Sequence, residues 1–300
     1  MSVRLTFFGT GTSQGIPIIG CRCPVCTSPD PRDKRFRASA LVQCDSLTVL
    51  IDAGPDFRSQ MLRSGVGHLD AILLTHNHKD HTGGLDDVRS LNYIDRKAVE
   101  IYCEPRVQET IRREYAYAFA EPKYPGSPEW NLHTIGEAPF EICSNDGYEL
   151  EWVHDVGYFY RPLEGPVPPP RRMTVIPIRG WHDAMPVLGF RFGDIAYLTD
   201  MSAIPESEFA KLQGLEHVTL NTVGYKKHHS HFSLDEALEL AGRIGARHTW
   251  LTHLSHTFPV HEAFSEDLRR LCAALGIASE VLPAYDGLII EAAGGSHRDQ

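Results

Sequence analysis

Apolar and polar residues alternate in short blocks along this chain, and the blocks are closed by glycine, proline, asparagine or aspartate. In the first half this pattern predicts strands over 3–9, 38–44 and 47–52, and a fully apolar, buried strand over 71–75. Helical spacing appears over 56–64 and 105–119. The second half repeats the mixture. Strands are predicted over 172–180, 187–192 and 195–199, followed by a short helix over 205–212 with Pro205 at its first position. A strand over 217–221 precedes a helix over 233–244, where Ser233 and Glu236 form a capping box. A strand over 248–252 leads to a helix over 260–275, with Phe264, Leu268, Leu271 and Leu275 on one stripe and Gly276 as its stop. The last strand falls over 286–291. No internal repeat is present. Strands and helices are interleaved in both halves, so the simplest packing is two sheets face to face with helices outside, an α/β fold of the αββα type. One domain over 1–292 accommodates all of it.

The segment 120–170 departs from this pattern. It holds Pro122, Pro125, Pro128, Pro139, Pro162, Pro166 and Pro168-Pro169-Pro170, together with Tyr124, Trp130, Tyr148, Trp152, Tyr158, Phe159 and Tyr160. A long insertion of this kind is either a functional lid or a poorly ordered loop. The aromatic residues favour a packed lid. The tail over 293–300 is expected to be disordered.

Composition adds limits. Hydrophobic residues make up 42% and charged residues 23%, a globular balance. No apolar run approaches the roughly 20 residues that cross a bilayer, so no membrane partner is expected. The start, Met1-Ser2-Val3-Arg4-Leu5-Thr6-Phe7-Phe8-Gly9, has too short an apolar part for a signal peptide, which points to the cytoplasm. The formal net charge is -10, so the chain gains nothing from counterion release on a long polyanion and nucleic acid is not an expected partner. A small anionic substrate remains compatible, because bound metal ions reverse the local charge.

The chemistry concentrates in Thr75-His76-Asn77-His78-Lys79-Asp80-His81. Alternation after a strand puts His76 and His78 on one side of an extended segment. Asp80 and His81 follow in a turn, and Gly83-Gly84 lets the backbone bend into the next helix. Four ligand-type side chains thus leave one strand end, and imidazole with carboxylate suits zinc, manganese or iron. This Thr-His-x-His-x-Asp-His pattern resembles the signature of the metallo-β-lactamase superfamily. The resemblance implies that superfamily's αββα fold and further ligands. His182 would be the third histidine, with His133 and His154 as rivals; Asp200 would be the bridging carboxylate and His253 the last histidine. In the implied arrangement His76, His78 and His182 hold one metal, Asp80, His81 and His253 the other, and Asp200 spans both. Asp52 resembles the superfamily's aspartate that orients a ligand histidine.

Seven cysteines are present. Cys44, Cys103, Cys143 and Cys272 read as scattered small core residues. Cys21, Cys23 and Cys26 form a tight cluster, and in a chain without a secretion signal such clusters bind metal more often than they form disulfides. A structural zinc takes four tetrahedral ligands, so the fourth must come from elsewhere. With Gly9-Thr10-Gly11, the histidine motif and Leu251-Thr252-His253-Leu254-Ser255-His256, the cluster resembles the cyclic phosphodiesterases of the carbon–phosphorus lyase pathway, which act on phosphoribosyl 1,2-cyclic phosphate. The resemblance implies His256 as the fourth zinc ligand and His231 as an active-site histidine that is not a ligand and protonates the leaving oxygen. His228 and His229 compete with His231 for that role. Lys226, Lys227, Arg58, Arg171 and Arg172 are candidate phosphate contacts. The stretch Gly9-Thr10-Gly11-Thr12-Ser13-Gln14-Gly15 misses the spacing of both glycine-rich nucleotide motifs and reads as a turn after the first strand.

These readings together imply a binuclear phosphodiesterase. It would cleave a small cyclic ribose phosphate or nucleotide-like diester through a hydroxide bridging two divalent ions, manganese or zinc with iron as a further option, and it would carry one structural zinc. Catalysis would fall to Asp80, Asp200 and His231. A homodimer is compatible with the sequence. The alternatives are hydrolysis of a thioester, lactone or β-lactam by the same metal pair and, further off, tRNA 3′ processing.

Overall fold

A computed structural model describes residues 2–45, 47–124, 126–144, 148–153, 157–162 and 169–293. The strands in chain order are β1 (Ser2–Gly9), β2 (Ser39–Cys44), β3 (Leu47–Ile51), β4 (Ala71–Leu73), β5 (Val99–Cys103), β6 (Trp130–Thr134), β7 (Phe140–Cys143), β8 (Tyr148–Val153) and β9 (Gly157–Pro162). They continue with β10 (Arg172–His182), β11 (Met185–Phe192), β12 (Ile195–Tyr197), β13 (His217–Asn221), β14 (His248–Thr252), β15 (Glu280–Pro283) and β16 (Ile289–Ala293). The α-helices are α1 (Pro24–Thr27), α2 (Phe57–Ser64), α3 (Lys79–Thr82), α4 (Arg89–Asp95), α5 (Pro105–Glu114), α6 (Leu234–Ile244) and α7 (His261–Leu275).

One sheet runs β16-β1-β2-β3-β4-β5-β6 and the other β15-β14-β13-β12-β11-β10-β7; among the described residues β8 and β9 pair with each other. In the first sheet β3 to β6 are parallel, and in the second β12 to β15 are parallel. Every residue of β3, β4 and β13 is buried, as expected for parallel strands covered on both faces. Phe7, Val42 and Leu73 of the first sheet meet Val175, Phe190 and Tyr197 of the second in the central layer. Ile72 and Ile101 pack outward with Met61, Val107 and Ile111 of α2 and α5. Val218 and Leu251 pack outward with Leu238 and Ala241 of α6 and Phe264 and Leu268 of α7. The αββα sandwich expected from the pattern is the observed architecture.

Several local expectations hold. The Ser233–Glu236 capping box is formed in both directions, and Gly276 adopts a left-handed cap at φ 67°. Others are corrected. The helix expected over 105–119 stops at Glu114: Tyr115 leaves helical backbone at φ -114° and ψ 40°, a 3-10 turn follows, and the Tyr115 hydroxyl donates to the Thr82 carbonyl at 2.8 Å. The segment 205–212 is a 3-10 helix with Pro205 at its cap. The last strand starts later than expected, since Gly287 takes a turn at φ 95°. β5 and β15 were not foreseen. The segment 120–170 is not simply irregular: β6 and β7 each extend one of the two sheets, and β8–β9 form a hairpin. Ala293 closes β16, and the rest of the tail lies outside the described residues.

The glycines of the histidine motif also work differently from expectation. Gly83 (φ -69°) and Gly84 (φ -100°) adopt backbone that any residue can take. What they provide is space. A Cβ on Gly84 would fall 2.1 Å from the Gly54 carbonyl oxygen, and one on Gly54 would fall 2.0 Å from the Asp80 carbonyl oxygen. Two backbone bonds, Ala53 N–H to His81 O at 2.8 Å and Gly84 N–H to Ala53 O at 2.9 Å, hold the two segments at this separation. Gly54→Ala should therefore destabilise the fold by about 1–3 kcal/mol. Gly67→Ala, which meets nothing within 4 Å, serves as the control; equal denaturation midpoints for the two variants would contradict this account.

Candidate metal centre

Ligand-type side chains collect where parallel strands end. Asp52 follows β3, and His76 and His78 follow β4, with Asp80 and His81 in the single turn of α3. From the second sheet, His182 ends β10, Asp200 follows β12 and His253 follows β14. The crevice beyond the carboxyl ends of such strands is the usual ligand site of α/β sheets. Asp52, Asp200 and His253 all take left-handed backbone, at φ 62°, 58° and 56°. Left-handed backbone costs a non-glycine residue of the order of 1 kcal/mol or more and concentrates at functional sites.

Asp80, His81, Asp200 and His253 each bring a ligand atom to within 4.8 Å of the others. His253 Nε2 lies 3.0 Å from Asp200 Oδ1, and His81 Nε2 lies 3.3 Å from Asp200 Oδ2 and 3.4 Å from Asp80 Oδ2. These approaches lack hydrogen-bond geometry: His76 Nε2, His81 Nε2 and His253 Nε2 are all buried without a hydrogen-bond partner. Buried polar atoms are normally paired, and lone pairs turned toward a common point beside carboxylates are what a shared cation requires. The residues present therefore fit a divalent metal. The His76 ring lies 4.6 Å from His78 and 5.7 Å from His182, and His78 lies 5.0 Å from His182. His182 and Asp200 also form a compact group with His231.

A surrounding set of bonds fixes these rings. The fully buried Asp52 accepts from His81 Nδ1 at 2.7 Å and from the Thr75 amide and hydroxyl, each at 2.9 Å. The Ser230 carbonyl accepts from His182 Nδ1 at 2.7 Å, and the Thr199 hydroxyl donates to Asp200 at 2.7 Å. On His81 and His182 the partner occupies Nδ1 and leaves Nε2 for the cluster, whereas on Asp200 the oxygen that accepts from Thr199 also faces His81. Thr75, Thr199 and Ser230 were missed from the sequence. Thr75 opens the motif, so its bonding role could have been suspected, whereas a backbone carbonyl such as that of Ser230 leaves no sequence signal.

Electrostatics follow the packing. Burial raises the Asp200 carboxyl, but His253 and His81 outweigh it and hold it well below the usual range. Burial likewise opposes the charged form of His81, yet Asp200, Asp52 and Asp80 raise its pKa well above that of free imidazole. Burial lowers His76, His78 and His182, favouring the neutral, ligand-competent ring. Burial and then His253 push His231 down to about 2.

A cleft of about 450 Å³ opens beside the cluster, lined by His78, His182, Asp183, Ala184, Met185, His229 and Ser230. Its size suits a small ligand. His231 stands 4.6 Å from the His182 ring and 4.7 Å from the His253 ring, while His228 is one ring further out, 5.2 Å from His231. His133 bonds Glu100 and stacks on Tyr102 in the first sheet, away from the cluster; His154 lies outside the described residues. Arg171 pairs with Asp70, before β4, and Arg172 opens β10, so both sit at the strand ends opposite the site. Arg58 lines a separate groove between α2 and α4.

The cysteines form a second cluster. His256 Nδ1 lies 3.3, 3.5 and 3.6 Å from the sulfurs of Cys21, Cys23 and Cys26. The Cys26 amide, donating to the Cys23 sulfur at 3.4 Å, is the largest influence holding that thiol down at about 6, while burial pushes Cys26 up to about 11. Three sulfurs and one imidazole in this arrangement match a tetrahedral zinc set.

Residues 48–254 match the family described as the beta-lactamase superfamily domain. The crystal structure of a diphosphatase from the PhnP family superposes with a TM-score of 0.78 at 35% identity, covering 97% of this chain and 98% of that one. A Porphyromonas gingivalis protein named octanoyltransferase is 35% identical over 289 residues, 95% of this chain but 51% of that protein, so the chain spans about half its length. A ribonuclease Z of a Mycobacterium species is 26% identical over 249 residues, 75% of this chain and 80% of that protein. The chain belongs to the metallo-β-lactamase-fold hydrolase superfamily. Within it, sequence and structure place it close to the PhnP family.

Cys23→Ser should remove one equivalent of bound zinc and lower the melting temperature, by about 2–4 °C for each kcal/mol lost. Mass spectrometry of the native protein and calorimetry check both; unchanged zinc content and melting would refute the tetrahedral site.

Proposed function

We propose that this chain is a binuclear metal-dependent phosphodiesterase acting on a small phosphorylated substrate, a cyclic ribose phosphate or a nucleotide-like diester. The observation that carries the reading is the convergence of the buried, unpartnered imidazole nitrogens of His81 and His253 with Asp80 and Asp200, beside a small cleft lined by His78 and His182. Likeness to a diphosphatase of the PhnP family supports it. His76, His78 and His182 would hold one divalent ion and Asp80, His81 and His253 the other, with Asp200 between them; Cys21, Cys23, Cys26 and His256 would hold a zinc. When bound, the paired ions supply Lewis acidity, activate water and neutralise phosphate charge.

The chain's own residues do the rest. Asp52 keeps a proton on His81 Nδ1, and the Ser230 carbonyl keeps one on His182 Nδ1, so each ring presents Nε2 to the cluster. Asp183, Ala184 and Met185, at the turn between β10 and β11, wall the cleft and limit substrate size. His231 is the best placed of the three clustered histidines to deliver a proton to the leaving oxygen, being the one against His182 and His253. Burial and the neighbouring His253 disfavour its charged form, and the charge of a bound phosphate would oppose that effect. Lys226 and Lys227 stand exposed on the same loop and are the remaining candidates for phosphate attraction. With a net charge of -10, long RNA is poorly suited as a substrate.

Protein loaded with manganese should turn over a bis-aryl phosphate or a cyclic nucleotide in preference to a lactone or a thioester. Preference for either non-phosphorus ester would overturn the reading. His231→Ala should cost about 10²–10⁴-fold in kcat on a diester with a poor leaving group, with metal content and melting temperature unchanged. A full-rate variant would remove His231 from the mechanism.

A further inference from the structure

The loop over 224–231 carries every candidate proton donor. Its site end is held by His182 Nδ1 donating to the Ser230 carbonyl at 2.7 Å, and Lys227 pairs with Glu236 at 3.5 Å, so the fastening of the other end decides how far His231 can shift. Tyr225, Lys226, Lys227 and His229 are exposed. The bonds inside the loop join Ser230 to His228 Nδ1 at 3.2 and 3.3 Å. Its neck is closed by Val223 N–H to Phe232 O at 3.4 Å and Leu234 N–H to Gly224 O at 2.8 Å. The neck in turn rests on a neighbouring segment. The Ser255 hydroxyl donates to the Val223 carbonyl at 2.6 Å and lies 2.6 Å from the Thr257 hydroxyl. The Thr257 amide donates to the Ser255 oxygen at 3.3 Å, and the Tyr225 ring stands 5.1 Å from Phe258 in an edge-on contact.

Ser255 is well anchored for this task. It lies between His253 of the metal-ligand cluster and His256 of the cysteine cluster. Its neighbour Leu254 is tied to β1's exit by its N–H to Thr10 O at 2.9 Å and by a bridge to Gly11. Val223 is the residue bonded across the neck to Phe232, immediately after His231. The Ser255 hydroxyl at 2.6 Å, with the Thr257 hydroxyl further off at 3.5 Å, therefore links a rigid segment to the peptide that faces the proposed acid's own neighbour.

We propose that Ser255 is a positioning residue for His231, clasping the neck of the 224–231 loop so that the imidazole stays against His182 and His253. The inference rests on the acid role assigned to His231 above. The segment that fastens the acid-bearing loop, Ser255 to Phe258, also contains His256 of the cysteine cluster.

Leaving-group dependence separates a positioning role from a merely structural one, because a good leaving group needs little help from an acid. Ser255→Ala should lower kcat on a poor-leaving-group diester by about 10- to 100-fold, the cost of a displacement near 1 Å. It should leave KM and the rate on a 4-nitrophenolate diester nearly unchanged. Ser255→Thr should restore the loss, and in a His231→Ala background Ser255→Ala should add nothing. Independently of activity, amide hydrogen exchange over 224–231 should quicken in Ser255→Ala while zinc content holds. An equal loss on both substrates, no loss on the poor one, or an undiminished loss in the His231→Ala background would each overturn the proposal. If His231→Ala itself spares the poor-leaving-group substrate, the acid assignment falls instead, and unaltered exchange in Ser255→Ala would then overturn the clasp as well.

Discussion

The site depends first on one buried carboxylate. Asp52 is shut off from solvent and bonded to the Thr75 amide, the Thr75 hydroxyl and His81 Nδ1. Those bonds join the end of β3 to the end of β4 and to the turn of α3. A charge in that position is tolerated only because all three donors converge on it. In return it sets the start of the histidine motif and the tautomer of a histidine eight residues beyond the end of β4. The close seating of Gly54 against the Asp80 backbone makes the same junction rigid from the other side.

Around this junction the structure accepts local strain to gain direction. Asp52, Asp200 and His253 each turn out of a strand through left-handed backbone. Such a turn swings a side chain from the plane of its sheet toward the crevice, which straight strands could not do from both sheets at once. Burial of the ligand atoms then keeps water from competing for them and leaves carboxylates and imidazoles to balance one another's charge.

The two-sheet architecture was legible because most strands are short apolar blocks with clear punctuation, and the cluster because His76, His78, Asp80 and His81 lie within six positions. His182, Asp200 and His253 were reached through resemblance, each at a predicted strand end, and the structure does bring them to the motif. What the sequence concealed has a common physical cause. Tyr115, where a helix gives way to a 3-10 turn, bonds a residue 33 positions away, and β6 and β7 form by pairing with distant strands although Pro128 and Pro139 lie just before them. The glycines of the motif were seen, but their purpose was misread as bending, because close approach of two chains cannot be inferred from one. The Ser230 carbonyl and the Ser255 hydroxyl act through tertiary bonds that no local pattern encodes.

Both ligand clusters are bipartite. Asp80 and His81 come from the first sheet, and Asp200 and His253 from the second. The cysteine trio belongs to the connection between β1 and β2, whereas His256 follows β14. A cation seated in either cluster would thus suture the two ends of the chain across the sandwich, closing covalent-like rings of more than 100 residues. Ring closures of that size restrict the unfolded chain far more than the folded one, so the mechanical integrity of this protein becomes a readout of metal supply.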